Sequence, residues 1–195
     1  MKLGAIYDYL DALSPFATQA AWDNSGLLIG SKDDEIEQIY LSLDVDSKLL
    51  EEVLPNSLII THHPLIFSGL KQLNFAKYPS NLIQIMVQKK ISLIAMHTNF
   101  DLSHLNAYVA SKLGFEIQES REFVAYCEIN KSFDDLIAQV KEVFGIEHIR
   151  VVKAKEWINR CAITTGSGGD LISKLDADCF LSGDLKYHQA LEAKE

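Results

Sequence analysis

The sequence has few cysteines and little positive charge. Its three cysteines, Cys127, Cys161 and Cys179, are scattered through the second half of the chain without C-x-x-C spacing. This excludes a disulfide framework and a thiolate zinc site, and predicts reduced thiols in a core. The balance of 18 basic against 27 acidic residues leaves a net charge of -9. Such a chain has no general attraction to nucleic acid or anionic lipid, so neither is an expected partner.

Long apolar runs and a signal peptide are also lacking. Residues 53–70 form the longest run without Asp, Glu, Lys or Arg, and Pro55 and Asn56 interrupt it too early for a spanning helix. Asp8 and Asp11 lie where a signal peptide would need its apolar stretch. With 195 residues and 48% apolar composition, the chain can bury a substantial core. We therefore expect a folded, soluble cytoplasmic protein.

Predicted strands and helices alternate along the chain. Short, continuous apolar runs at 58–60 and 91–96 are typical of strands that are covered on both faces. The predicted strands cover residues 39–45, 58–60, 91–96, 123–129, 149–152, 158–164 and 179–181. The predicted helices cover residues 3–13, 47–54, 81–89, 103–113 and 132–144, with a short helix after 170 and a last one from 183. The alternation predicts an α/β fold with a parallel or mixed sheet, in which ligands bind at the carboxyl ends of strands.

Histidines lie at two of these predicted strand ends. His62 and His63 follow the strand at 58–60, and His97 follows the strand at 91–96. Imidazole is the commonest metal ligand, and a carboxylate is its usual companion where two ions share a bridge. Pro64 breaks the strand, which would let two adjacent side chains converge on one cavity. The pattern predicts that His62 and His63 bind a pair of divalent ions and that Asp101 bridges them.

The alternative is that these histidines cap strand ends through ordinary hydrogen bonds. Two clusters at neighbouring strand ends with a companion carboxylate favour the metal site instead. His97 and Asp101 are four residues apart and would share a face if the segment turns helically. Two imidazoles and one carboxylate are nevertheless too few for two ions, so further ligands must come from elsewhere. His104 and His148 have no comparable setting and are expected to be surface or packing residues.

Weaker candidates lie near the end of the chain. The glycine-rich turn at 166–169 could hold a phosphate, but a plain structural turn is favoured. Asp184 and His188 are predicted to share one face of the last helix, where the histidine could act as an acid or base. Alternatively, Asp184 could simply stabilise the N-terminus of this helix electrostatically. The absence of G-x-S-x-G, Walker A and H-E-x-x-H motifs argues against serine-hydrolase, P-loop and zincin functions.

Four ordered motifs carry a family resemblance. They are W-D-N-S-G-L-L-I-G at 22–30, T-H-H-P-L-I-F at 61–67, H-T-N-F-D at 97–101 and S-G-D-L-K-Y-H at 182–188. Together they make the chain resemble the Nif-three-like dinuclear-metal hexamer family, whose members are often named GTP cyclohydrolase 1 type 2 homologues. The resemblance implies a mixed α/β fold with helices on both faces, two similar lobes and assembly into a homohexamer. It also implies a two-metal site lined by His62, His63 and Asp101, with His97 as a nearby participant.

The resemblance also implies an activity. It indicates a divalent-metal-dependent hydrolase in which metal-activated water opens the purine ring of GTP, with His97, Asp184 or His188 moving protons. Two divalent ions per subunit (zinc, iron or manganese) and a small nucleotide substrate are the expected ligands. The alternative is a metal-binding regulatory or metal-handling ring protein without its own catalysis.

The expected domains follow the motifs. Residues 1–120 would form an N-terminal α/β lobe with the T-H-H-P and H-T-N-F-D motifs, and residues 121–195 a second α/β lobe. The family continues into a G-H-x-x-S-E type segment, whose His and Glu complete the metal site. That motif is not found here before Glu195. The resemblance therefore implies that this sequence carries the N-terminal part of a two-metal site.

Overall fold

Each half of the chain forms its own four-stranded sheet. The computed structural model describes residues 1–195 and contains two units, which are unit 1 (Met1–Phe100) and unit 2 (Asp101–Glu195). Both sheets contain parallel and antiparallel strand pairs. The predicted mixed α/β fold is therefore confirmed. No helix is both long enough and apolar enough to cross a membrane.

Unit 1 is built around three parallel strands and one antiparallel strand. Its strands are β1 (Gly26–Ile29), β2 (Gln38–Ser42), β3 (Ser57–Thr61) and β4 (Ser92–Ala95). Its helices are α1 (Leu3–Leu13), α2 (Ser47–Glu52), α3 (Ser80–Lys89) and the single turn α4 (Thr98–Phe100), with a 3₁₀ turn at Phe16–Thr18. The strand order is β1-β4-β3-β2, in which β2, β3 and β4 are parallel and β1 is antiparallel to β4.

Strands β3 and β4 are covered on both faces, as their continuous apolar sequences predict. Neighbouring residues on a strand point to opposite faces of the sheet. Leu58 and Ile94 belong to one buried cluster, whereas Ile59 and Leu93 belong to another. Because β3 and β4 are parallel, their carboxyl ends meet at the same edge of the sheet.

Unit 2 has a more antiparallel sheet. Its strands are β5 (Ile117–Arg121), β6 (Val124–Ser132), β7 (Trp157–Thr164) and β8 (Cys179–Ser182). A π-helical turn at Asp101–Leu105 leads into α5 (Asn106–Lys112), and α6 (Phe133–Phe144), a 3₁₀ turn (Gly169–Lys174) and α7 (Tyr187–Glu192) follow. The strand order is β5-β6-β7-β8, in which only the pair β7 and β8 is parallel.

Helix α6 begins and ends where its sequence predicts. The Ser132 side chain accepts a hydrogen bond from the backbone N–H of Asp135, which satisfies one donor of the first turn. Gly145 ends the helix in the left-handed conformation, with φ at 62°. Leu136 and Val140 lie one turn apart and are buried in the core of unit 2. The cap, the apolar spacing and the terminal glycine thus all predict the same helix boundaries.

Some predicted elements differ from the structure. The strand predicted at 149–152 is wrong, because this segment is irregular and pairs with no strand. Its β-branched residues favour a strand only where a neighbouring strand can pair with them. Strands β1 and β5 were not predicted, and β5 (I-Q-E-S-R) is mostly polar and partly exposed, so it lacks an apolar signal. The last helix begins at Tyr187 rather than at Gly183.

The division of the chain also differs from the expected lobes of 1–120 and 121–195. Residues 101–120, which the sequence analysis assigned to the first lobe, lie in unit 2. Ala110 and Leu113 at the end of this segment are buried in the same core as Leu136 of α6. Burial of these two side chains in the core of unit 2 explains why the segment belongs to that unit.

Candidate metal centre

Three imidazoles converge at the carboxyl ends of β3 and β4. His62 and His63 directly follow β3, and His97 lies just beyond β4. The ring centroids of His62 and His63 are 4.9 Å apart, and His97 lies 5.2 Å from the first and 5.7 Å from the second. One possible ligand atom of each residue lies within 4.8 Å of those of the other two. The structure thus brings His97, which the sequence placed near the metal site and assigned to proton transfer, together with the histidine pair.

The backbone after β3 explains how two adjacent side chains reach one place. The N–H groups of His62 and His63 still donate to the carbonyls of Ser42 and Leu43, so the chain continues beside the β2 strand. The Thr61 hydroxyl donates to the carbonyl of His63 at 2.9 Å, which folds the backbone into a tight turn. On a regular strand the two imidazoles would point to opposite faces. The turn removes this alternation where the ligands are needed.

Each imidazole of the cluster contacts an oxygen acceptor through Nδ1. His62 Nδ1 lies 2.9 Å from the carbonyl oxygen of Met96. His63 Nδ1 lies 2.9 Å from Asp44 Oδ1, and His97 Nδ1 lies 2.7 Å from Asp23 Oδ1. A carbonyl or carboxylate oxygen only accepts, so Nδ1 donates its hydrogen in each of these contacts. This is the arrangement by which proteins orient metal-binding histidines.

Asp23 is the most strongly fixed of these partners. Its side chain is 0% exposed. Besides His97, it accepts hydrogen bonds from the backbone N–H of Asn24 and Thr98 and from the hydroxyls of Ser25 and Thr98. Burial raises the pKa of the Asp23 carboxyl, but the hydrogen bonds from His97 and Thr98 outweigh burial and hold the pKa well below its usual range. Asp23 is therefore a carboxylate at neutral pH and accepts the His97 hydrogen.

Asp44 holds His63 in a different environment. The side chains of His63 and Asp44 are 51% and 68% exposed. Solvent screens their interaction, and an exposed pair of this kind contributes little free energy. The His63 imidazole is thus accessible at the surface. The His97 side chain is only 15% exposed and forms its hydrogen bond with the buried Asp23.

The donor set fits a divalent transition-metal ion. Nitrogen ligands bind zinc at about 2.0–2.1 Å, which sets tetrahedral ligands roughly 3.4 Å apart. Ligand atoms within 4.8 Å of one another can reach such positions by small side-chain rotations. Imidazole donors favour zinc, iron, copper or nickel, whereas calcium and magnesium favour oxygen. Three imidazoles supply the protein ligands of one catalytic zinc but not of two ions, as the ligand count from sequence anticipated.

The other predicted site residues lie in unit 2. Asp101 is 6% exposed, and its Oδ1 accepts a hydrogen bond from the Thr165 hydroxyl at 2.6 Å. Its role as a bridging ligand stays a prediction. Asp184 and His188 are both exposed. Because α7 begins at Tyr187, Asp184 precedes the helix, and the prediction that the two share a helical face is wrong.

The glycine-rich turn at 166–169 has a packing role. A Cβ atom at Gly169 would lie 2.1 Å from Oε1 of Gln189. The Gln189 side chain is held there because it accepts from Lys186 N–H and donates to Asp170. This supports the structural interpretation of the turn, which brings α7 against it.

Two residues of the centre were missed by the sequence analysis. Asp23 lies in the W-D-N-S-G-L-L-I-G motif, which carried the family resemblance but was assigned no site residue. Asp44 lies just beyond β2, the third parallel strand, which ends at Ser42, whereas the predicted strand ran to residue 45 and so hid Asp44 from the strand-end rule. The residues that orient the ligands therefore come from two further segments of unit 1.

A family comparison covers the whole chain. The model of a family described as Duf34/NIF3 (NGG1p interacting factor 3) matches residues 1–195. A Campylobacter jejuni protein named GTP cyclohydrolase 1 type 2 homolog is 57% identical over 99% of this chain and 81% of its own length. A Helicobacter pylori protein named GTP cyclohydrolase 1 type 2 is 42% identical over 95% of this chain and 77% of its own length.

Solved structures share the fold. A crystal structure of a Staphylococcus aureus protein aligns with a TM-score of 0.84 at 28% identity, and covers 100% of this chain and 83% of its own. The reduced form of HcgD from Methanocaldococcus jannaschii aligns with a TM-score of 0.85 at 26% identity, with the same coverage of both chains.

Proposed function

Since this chain belongs to the DUF34/NIF3 family, we propose that it is a divalent-metal-dependent hydrolase that opens the purine ring of GTP. The observation that carries the proposal is the convergence of three imidazoles, each with Nδ1 against an oxygen acceptor. The names of the Campylobacter jejuni and Helicobacter pylori relatives supply the reaction.

The proposal assigns His62, His63 and His97 as ligands of a centre of two divalent ions (zinc, iron or manganese), which needs further ligands besides these three. Asp101 stays a predicted bridging ligand. Bound divalent ions lower the pKa of water and so supply a nucleophile at neutral pH. The proposal also includes a small nucleotide substrate and a homohexameric assembly, with neither nucleic acid nor membrane as a partner.

The role of His97 changes in this proposal. Its Nδ1–H is engaged by the Asp23 carboxylate, and its Nε2 lies in the imidazole cluster. A nitrogen that binds an ion has no lone pair left for a proton, so His97 is assigned as a ligand and not as an acid or base. Asp184 and His188 stay the predicted proton carriers.

A metal-handling protein without catalysis is the second candidate. The half-exposed side chain of His63, with its exposed partner Asp44, favours it. An ion held partly by an accessible imidazole can be exchanged with a client more readily than one enclosed by buried ligands. In this case the cluster would load and release metal without nucleotide turnover.

The test begins with metal-free protein, which is reconstituted separately with zinc, manganese and ferrous iron. Bound metal is counted by elemental analysis, GTP consumption is followed by chromatography, and native mass spectrometry reports the assembly. We expect metal-dependent GTP consumption that is lost in His97→Ala and retained in His148→Ala, which changes an exposed histidine of unit 2. Metal binding without GTP consumption would reject the hydrolase, and metal transfer to an apo-acceptor would then support the second candidate.

A further inference from the structure

Two large aromatic side chains beside the imidazole cluster are exposed. Trp22 is 63% exposed and Phe67 is 50% exposed. Their ring centroids lie 5.9 Å apart, with the ring planes inclined by 46°. Tryptophan is on average a highly buried residue, so an exposed indole next to an exposed phenyl ring calls for a physical reason. We call Trp22 and Phe67 the aromatic wall.

The backbone segments that carry the aromatic wall are anchored by residues next to Trp22 and Phe67 in sequence. The Asn24 side chain donates to the carbonyl of Ile66 at 2.6 Å, which ties the segment of Trp22 to the segment of Phe67. Asp23 anchors the first segment through its buried hydrogen bonds, and Leu65, at 6% exposure, anchors the second in the core. Because these contacts fix the two backbone segments, less conformational freedom is lost in the segments when a ligand binds.

The aromatic wall adjoins the candidate metal centre through His97. The His97 ring centroid lies 6.1 Å from that of Trp22 and 6.5 Å from that of Phe67, in edge-on orientations of 73° and 74°. The same imidazole lies 5.2 Å from His62. His97 therefore belongs both to the imidazole cluster and to the edge of the aromatic wall.

We propose that Trp22 and Phe67 form a stacking subsite that receives a purine base and presents its edge to the imidazole cluster. The inference rests on the proposed function, because it takes the ligand class from that reaction and adds the residues that recognise the base. Two fused rings of a purine match the indole of Trp22 in size. Stacking on aromatic side chains needs no opposite charge, which suits a chain with a net charge of -9.

Fluorescence provides a direct test, because the chain has two tryptophans. Trp157, at 53% exposure, lies in unit 2, and Trp157→Phe leaves Trp22 as the single reporter. This variant is titrated with GTP and separately with tripolyphosphate, both in EDTA and after zinc loading. We expect GTP to quench the Trp22 emission and tripolyphosphate to leave it unchanged. Equal quenching by tripolyphosphate, or no quenching by GTP in zinc-loaded protein, would overturn the inference.

A matched pair of phenylalanines locates the subsite. In the Trp157→Phe background, Phe67→Leu removes one ring of the aromatic wall, and Phe75→Leu removes a phenyl ring of similar exposure, 48%, outside it. Loss of one stacking ring corresponds to roughly a 5- to 150-fold rise in Kd. We expect this rise for Phe67→Leu and none for Phe75→Leu. Equal effects of the two changes would contradict the subsite, and thermal unfolding of each variant checks that it is folded.

The same samples separate this inference from the proposed function. Zinc binding and GTP quenching without GTP consumption would support the subsite while rejecting the hydrolase. GTP consumption with an unchanged KM in both Phe67→Leu and Trp22→Leu would support the hydrolase while rejecting the subsite. Emission that depends on protein concentration and not on GTP would show that the aromatic wall is buried between copies of the chain, which also rejects the subsite.

Discussion

The Nδ1 atom of His97 lies 2.7 Å from Oδ1 of Asp23, a side chain that is completely removed from solvent. The two residues are 74 positions apart in sequence. Asp23 also accepts hydrogen bonds from both the backbone N–H and the hydroxyl of Thr98, so it also fixes the residue that follows His97. The orientation of one predicted ligand is thus set by an irregular segment near the start of the chain.

Removal of any imidazole from the cluster should weaken metal binding. We expect His62→Ala, His63→Ala and His97→Ala each to lower zinc affinity by more than about 100-fold, because loss of only an outer-shell partner costs 10- to 100-fold. His148→Ala, at an exposed position in unit 2, should bind zinc like the parent protein. Calorimetric titration of the metal-free proteins measures these affinities. Unchanged affinity in all three variants would reject the cluster as a metal site.

Asp23 and Asp44 should differ as partners of the cluster. Asp23→Asn replaces the carboxylate that holds His97 with an amide, and we expect zinc affinity to fall by about 10- to 100-fold. Asp44→Asn alters a pair that is largely exposed to solvent, so a smaller loss is expected. The same zinc titration compares the two variants, and thermal unfolding reports on their stability. A larger loss for Asp44→Asn would contradict the role assigned to the buried carboxylate.

The three cysteines should react at different rates. Burial raises the pKa of the Cys127 thiol, and the hydrogen bond with Cys179 together with burial raises that of Cys161. The hydrogen bond from Cys161 lowers the pKa of Cys179, although burial opposes it, and Cys179 is the only one of the three that is partly exposed. Because the thiolate is the reactive form, we expect iodoacetamide to modify Cys179 first in the native protein.

Mass spectrometry at successive times locates the modified cysteine, and Cys179→Ser should remove the fast phase of labelling. Faster modification of Cys127 than of Cys179 would contradict the assignment. All three thiols should react at similar rates after unfolding in urea, which controls for differences in intrinsic reactivity.

A side chain at Gly169 should destabilise unit 2. The added Cβ of Gly169→Ala would overlap Gln189, whose side chain is held by two hydrogen bonds. Overpacking of this kind costs about 1–3 kcal/mol. Gly69→Ala is the matched control, because nothing lies within 4 Å of a Cβ at that position. Urea unfolding of both variants measures the free energy, and equal stability of the two would show that the Gln189 contact yields easily.

Local sequence patterns were sufficient for several elements and for part of the site. The apolar runs of β3 and β4 identified buried strands, because covering both faces leaves no polar positions. The serine cap and terminal glycine located α6, because both act within one turn of the helix. His62 and His63 became candidate ligands because they directly follow a strand, and the parallel pairing of β3 with β4 confirms that their segment lies beside that of His97.

The sequence by itself therefore determined the α/β class, the histidines at neighbouring strand ends and the family motifs. Only the tertiary structure identified Asp23 as the partner of His97 and Asp44 as the partner of His63, and assigned residues 101–120 to unit 2. The physical reason is distance along the chain. Periodicity, caps and turns act over a few residues, whereas the hydrogen bonds that orient the imidazoles join segments that meet only after the sheet has formed.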